Sequence, residues 1–198
     1  MKKINPLRGK NEFSISTDRP QRYVKDALLS STEASLLYEI PRLLGGGNIA
    51  NLGHRNGGSA FVMALSLEDH GLPGTVLSMD VQIRPEWEAD LARRNKTELG
   101  DRIRFTLKTT HEVGEICRAA GDTFRFVFVD ASHLYRNALD DVKTWSPLVE
   151  VGGMIALHDC HDGRVNRVAE EELAGDPNWK ERKELHINKI RVFERENK

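Results

Sequence analysis

The sequence is short of several things, and each shortage removes a class of protein. Its 198 residues include two cysteines, Cys117 and Cys160. Two are too few for a disulfide framework, and a reducing, cytoplasmic setting is expected. No stretch approaches the ~20 consecutive apolar residues that span a bilayer. The amino terminus, MKKINPLRGKNEF, has lysines with no apolar run behind them, so no signal peptide is expected. Neither sign of charge is in excess: 29 Lys and Arg stand against 30 Asp and Glu, a net charge of -1. That balance predicts no general attraction to nucleic acid or to a membrane surface. Internal repeats are absent too, and the length suits one domain with a sizeable core. Residues 1–26 are polar, carry Pro6 and Pro20, and read as an N-terminal arm before a single domain over 27–198.

What is present is an alternation of short apolar strands with helix-sized segments. Ser30 and Glu33 form an S-x-x-E capping box before Leu36, Leu37, Ile40, Leu43 and Leu44, with Pro41 expected to kink or interrupt that helix. Strands are expected at 48–53, 75–80, 103–107, 124–130 and 154–159. Helices are expected at 59–70, 85–95, 109–120 and 163–174, and around Leu134, Ala138, Val142 and Trp145 as one face. In FRFVFVD, Phe124, Phe126 and Phe128 lie on one side and Val127 and Val129 on the other. A strand apolar on both faces belongs in the middle of a covered parallel sheet. A Val-Gly-Gly turn at 151–153 and two strand-like pieces around 183–185 and 187–194 complete the reading, the last two as an antiparallel hairpin at an edge. The fold class is α/β, a Rossmann-like three-layer αβα sandwich with a mostly parallel sheet.

Ligands of such sheets bind outside the carboxyl ends of the strands, and chemistry-bearing residues gather there. The turn NLGHRNGGS offers Gly53, Gly57 and Gly58 before a helix start, where free N–H groups favour negative charge. It is not G-x-G-x-x-G, which argues against a dinucleotide and an NAD-dependent oxidoreductase. Asp80 ends the next strand, placed for the two hydroxyls of a ribose. Asp130 and Asp159 end two further strands, a carboxylate pair suited to a hard divalent cation. His158, as a ligand, adds an imidazole that tilts the choice toward Mn²⁺, Zn²⁺ or Fe²⁺. It shares the metal site only if the strand has ended before it, because neighbouring residues of a strand point to opposite faces. His133, in the loop after Asp130, is the general-base candidate.

These residues resemble a family. NLGHRNGGSAFVMA is similar to the first motif of class I S-adenosylmethionine-dependent methyltransferases. VLSMDVQIRPEWEADLARRNKTELGDRIRF resembles the cephalosporin hydroxylase and rhamnosyl O-methyltransferase group. VFVDASHLYRNALDDVKTWSPLVEVGGMIALHDC is similar to the D-G-x-H-x-Y…D…W…L…G-G…H-D pattern of small metal-dependent O-methyltransferases of the macrocin type. The resemblance implies that Gly53, Gly57 and Ser59 line the methionine part of the cofactor, Asp80 its ribose and Val81 its adenine, with Asn51 and Asp130 also among the cofactor-binding residues. Thr109 and Thr110 would lie near the base. It implies that Asp130, His158 and Asp159 hold Mg²⁺ or Mn²⁺, with Asp130 or His133 taking a proton from a hydroxylated small-molecule acceptor. Asn51 stands where the family usually has an acid, and Ala131 where it has glycine. Two alternatives share the fold: a metal enzyme of the cephalosporin hydroxylase type, and an S-adenosylmethionine-binding protein without catalysis. Whether the chain forms a homo-oligomer is left open.

Overall fold

The computed structural model describes residues 29–82 and 85–196; the expected arm over 1–26 lies outside them. Along the chain run α1 (Ser31–Leu43), β1 (Ile49–Leu52), α2 (Gly58–Asp69), β2 (Val76–Asp80), α3 (Pro85–Leu99) and β3 (Ile103–Leu107). They are followed by α4 (Thr110–Ala120), β4 (Phe124–Val129), α5 (Tyr135–Trp145), β5 (Val149–Leu157), α6 (Gly163–Ala169), β6 (Trp179–Glu181) and β7 (Arg191–Arg195). The seven strands form one sheet in the order β3-β2-β1-β4-β5-β7-β6. The first five are parallel; β7 runs antiparallel to β5, and β6 to β7.

Side-chain alternation along the strands divides the core in two. Phe126, Phe128, Met154 and Ala156 join α1, α2 and α3 on one face. Val127, Val129, Ile155 and Leu157 join α4, α5 and α6 on the other. The helices cover both faces because no strand in the centre has a polar side to offer water. Each phenylalanine buried in this way stabilises the fold by roughly 1.5–3 kcal/mol. Both capping boxes form, Ser30 with Glu33 and Thr109 with Glu112. Among the described residues, no helix is long and apolar enough to cross a membrane.

Several local expectations are corrected. Pro41 does not interrupt α1, since it falls in the last turn, where only one ladder bond is lost. Phe124 packs on the opposite face from Phe126 and Phe128, against Trp145 at a centroid distance of 5.5 Å. The cause is a bulge in β4, where the Arg125 and Phe126 N–H groups both donate to Asn48 O, at 2.8 and 3.4 Å; beside it the register with β5 is irregular and β5 makes an excursion through Gly152 at φ 74°. That excursion is the expected Val-Gly-Gly turn, placed inside a longer strand. Leu134 is exposed as the N-cap of α5 and takes no part in its buried face. Helix α3 runs one turn further than expected, to Leu99. The hairpin partner of β7 is Trp179–Glu181, while 183–185 is a 3₁₀ turn in a longer connection. Residues 170–174 continue α6 as a π-helix.

Candidate active site

The strand order reverses between β1 and β4, the place where α/β sheets open a crevice. Gly53 leaves β1 there at φ 86°, and a Cβ on it would stand 2.4 Å from the Asp130 carbonyl oxygen. The glycine is therefore required by the close approach of two loops. Beside them opens a cleft of about 410 Å³, within the usual range for a small-molecule site of roughly 300–1,000 Å³. Gly53, Asp80, Val81, Thr109 and Thr110 line it, joined by Lys108, His111, Ala131, Ser132, Asn137, Asp140 and Asp141.

Asp80 is fixed by backbone. Its Oδ2 accepts from the Arg55 N–H at 2.8 Å, and its Oδ1 from Val81 N–H at 2.8 Å. Oδ1 also accepts from Gln82 N–H at 3.4 Å, so Oδ2 is the oxygen that keeps a second lone pair, and the carboxylate is oriented without being used up. Gly57 caps α2 at φ 82°, left-handed backbone that itself favours glycine, and a Cβ there would press to 2.7 Å from Leu91 Cδ2. Asn51 is 0% exposed and ties β1 to its neighbours. Its Nδ2 donates to Ser78 Oγ at 2.9 Å, and its Oδ1 accepts from Ser59 Oγ at 3.1 Å. Asn51 and Ser59 thus lie under the cleft and not on its wall. A charged acid in place of Asn51 would accept from Ser78 and Ser59 but would need an answering cation, and the amide needs none.

The acidic end lies across the same edge. Strand β5 ends at Leu157, and Asp159 turns into the left-handed region at φ 54°. His158 and Asp159 are therefore free of strand alternation, and both reach the neighbourhood of Asp130. His158 Nδ1 is 3.1 Å from Asp130 Oδ1 and 3.1 Å from Asp159 Oδ2. His133 Nε2 is 2.9 Å from the same Asp159 oxygen. Among the described residues, Asp130, His133 and Asp159 form a group whose ligand atoms all lie within 4.8 Å of one another. Two carboxylates and imidazoles converging in this way are a donor set that fits a divalent cation. His133 approaches from the solvent side at 49% exposure, whereas His158 comes from inside at 7%.

Behind His158 stands a residue that sequence reasoning read only as a helix cap. Glu33 Oε2 accepts from Ser30 N–H at 2.7 Å and Ser30 Oγ at 2.8 Å, while Oε1 faces His158 Nε2 at 3.5 Å. Asn188 closes this corner, its Nδ2 donating to Ser30 Oγ at 3.2 Å and Thr32 Oγ1 at 3.1 Å. Burial alone would discharge the His158 ring, yet Asp130, Glu33 and Asp159 outweigh it and hold the proton on up to about 10. Burial likewise opposes the Glu33 charge, but His158 and the Ser30 donors bring that carboxyl down to about 2. Nothing in the local sequence around Glu33 marks this second duty.

The cleft wall contributes a further acid that sequence reasoning passed over. Asp141 is 3% exposed, and burial pushes it up to about 6 against the pull of the Thr110 hydroxyl that donates to it. Its signal was an acid inside the apolar stripe of α5, between Ala138 and Trp145. Tyr135 is half-buried against the core on this face, and its hydroxyl donates to Glu171 at 2.6 Å. Burial raises the Cys160 thiol to about 11, which leaves it without nucleophilic character at neutral pH.

Residues 50–160 match the profile of a family described as a methyltransferase domain. No curated protein matches the chain. Among solved structures, the O-methyltransferase TomG from Streptomyces achromogenes, involved in tomaymycin synthesis and in complex with S-adenosylmethionine, superposes with a TM-score of 0.71. It is 14% identical, over 92% of this chain and 91% of that one. The O-methyltransferase from Bacillus cereus, in complex with S-adenosylhomocysteine, has a TM-score of 0.67 and 18% identity over 91% and 93%. The S-adenosylhomocysteine-bound methyltransferase PaMTH1 from Podospora anserina has a TM-score of 0.69 and 14% identity over 91% and 89%. At these identities the likeness is one of fold.

Proposed function

The chain belongs to the methyltransferase-domain family, and from that premise we propose that it moves a methyl group from S-adenosylmethionine to a hydroxyl of a small molecule or sugar, assisted by Mg²⁺ or Mn²⁺. The observation that carries this reading is the meeting of two half-sites on one sheet edge. A nucleoside-sized cleft with an oriented carboxylate, Asp80, abuts the acidic group of Asp130, His133 and Asp159 through the Gly53–Asp130 contact. The complexes of TomG and of the Bacillus cereus enzyme with S-adenosylmethionine and S-adenosylhomocysteine support the choice of cofactor.

Asp80 accepts from the ribose hydroxyls, and Val81, Thr109 and Thr110 border the base. Gly53 lets the methionine portion pass close to backbone. Asp130 and Asp159 would hold the cation, and His158 would join them as the inner imidazole on giving up the ring proton that the acids otherwise hold on. A bound divalent ion would supply a Lewis acid that lowers the pKa of the acceptor hydroxyl. His133 takes that proton as the acceptor oxygen gains the methyl group and the sulfonium becomes a neutral sulfide. Asp159, 2.9 Å from His133 Nε2, orients the ring and stabilises its charged form.

The test is transfer from methyl-labelled S-adenosylmethionine to a panel of hydroxylated acceptors, with and without a chelator. Label appearing in an acceptor, and stopping on chelation, is the expected result. Oxidised product without label would favour the cephalosporin hydroxylase type, and binding without turnover on any acceptor would favour a non-catalytic protein. Asp159→Asn is expected to abolish stoichiometric Mn²⁺ binding in calorimetry; retained binding would remove the metal assignment.

A further inference from the structure

The geometry points to a positioning role for Glu33: we propose that it fixes the His158 ring and, through it, the spacing of Asp130 and Asp159. The inference rests on the metal-assisted reading above. Glu33 lies on α1, outside residues 50–160 that match the family, so nothing in that match assigns it a role. A capping-box carboxylate belongs at an exposed helix end, where water answers whatever the cap does not use. This one is 3% exposed. Its Oε2 does the capping, and its Oε1 is buried without a hydrogen-bond partner, 3.5 Å from His158 Nε2. A buried, half-unanswered carboxylate is costly unless a cation or an N–H faces it. His158 is the facing group.

The ring is held on its other sides as well. Phe128 meets it edge-on with centroids 6.0 Å apart, and its Nδ1 stands 3.1 Å from one oxygen each of Asp130 and Asp159. His133, His161 and Lys189 also face Asp159, at 2.9, 3.4 and 3.4 Å, but the His158 nitrogen is the group that stands against both Asp130 and Asp159 and so sets their common focus. A ring free to turn about its χ2 would lose that focus. Glu33 prevents the turn, anchored in turn by the α1 cap and by the Asn188 bonds to Ser30 and Thr32. Carboxylates behind metal-site imidazoles act in this manner generally, and their loss costs about 10- to 100-fold in metal affinity.

The experiment is a cycle of wild type, Glu33→Gln, His158→Asn and the double variant, titrated with Mn²⁺ by calorimetry. Glutamine still serves a capping box, so Glu33→Gln removes the charge and leaves the helix start intact; thermal unfolding in chelator checks this. The expected result is Mn²⁺ binding about 10- to 100-fold weaker in Glu33→Gln, with S-adenosylmethionine affinity unchanged. A purely structural role would lower both together. The double variant is expected to bind Mn²⁺ as His158→Asn does, because Glu33 acts through that ring. Wild-type Mn²⁺ affinity in Glu33→Gln, or a further loss on adding it to His158→Asn, overturns the proposal alone. No Mn²⁺ binding by wild type overturns the metal reading, and the proposal with it. If Glu33→Gln does not fold, Asn188→Ala, which removes the bonds to Ser30 and Thr32 that anchor Glu33, is titrated in its place: weaker Mn²⁺ binding at unchanged S-adenosylmethionine affinity is expected, and wild-type Mn²⁺ affinity overturns the proposal.

Discussion

The two ends of the cleft are built on different principles. At the nucleoside end the geometry comes from backbone. Gly53 is a glycine because a loop passes 2.4 Å from where its Cβ would be, and Asp80 is aimed by the N–H groups of Arg55 and Val81. At the acidic end it comes from side chains on distant segments, with Glu33 from α1, Asp130 after β4, and His158 and Asp159 after β5 converging by charge. A backbone-built site is rigid and local in sequence. A side-chain-built one is adjustable, and it depends on burial to make its charges count.

That contrast is open to attack. The largest effect expected is on turnover: His133→Ala should lower kcat by about 10²- to 10⁴-fold while S-adenosylmethionine affinity stays near wild type. Steady-state kinetics beside calorimetry would show it, and a wild-type rate would remove His133 as the base. Next, Asp80→Ala should weaken S-adenosylmethionine binding by about 10- to 100-fold, since hydrogen bonds to a charged group contribute roughly 1.5–3 kcal/mol. Mn²⁺ binding should be untouched in that variant; a loss of both would mean that the two ends are not separable. The smallest effect concerns Asp141, whose burial raises it from 3.8 to about 6. A raised carboxyl contributes stability that is complete below pH 3.8 and lost as pH rises through about 6. The wild type should therefore shed stability between pH 4 and pH 7 that Asp141→Asn retains, by at most about 3 kcal/mol at neutral pH. Urea midpoints at the two pH values measure this. Parallel pH profiles for the two proteins would show that Asp141 is not held neutral.

The sequence made some of this plain and hid the rest for physical reasons. Strand β4 was legible because Phe126, Phe128, Val127 and Val129 are apolar on alternate sides, a pattern only a doubly covered strand satisfies. Phe124 was misplaced because a register irregularity shifts side chains to the other face, and nothing in FRF announces it. The Val-Gly-Gly segment looks like a turn and is an excursion within β5, since glycine serves both equally. Whether His158 and Asp159 share a site could not be read from alternation alone. It hinged on the strand ending at Leu157 and on the positive φ of Asp159. Asn51 and Ser59 were read as cofactor contacts, but the depth of a residue under a loop has no periodicity. Glu33 was the least legible of all. A capping box explains an S-x-x-E fully from local chemistry, and only the fold reveals that one oxygen remains to face His158, 125 positions away in number.

The bonds from Asn188 to Ser30 and Thr32 have a bearing on how the protein is made. Ser30 and Asn188 are 158 positions apart, so this clasp draws nearly the whole chain into one loop and joins only after the segment before β7 exists. A chain leaving the ribosome amino terminus first has β1 to β4, and with them the cofactor cleft's framework, long before Asn188 emerges. The corner beside Glu33 then closes late, together with the docking of β7 on β5. A chain cut before Asn188 would carry the strands of the nucleoside cleft while the bonds that close the corner at Ser30 and Thr32 were missing.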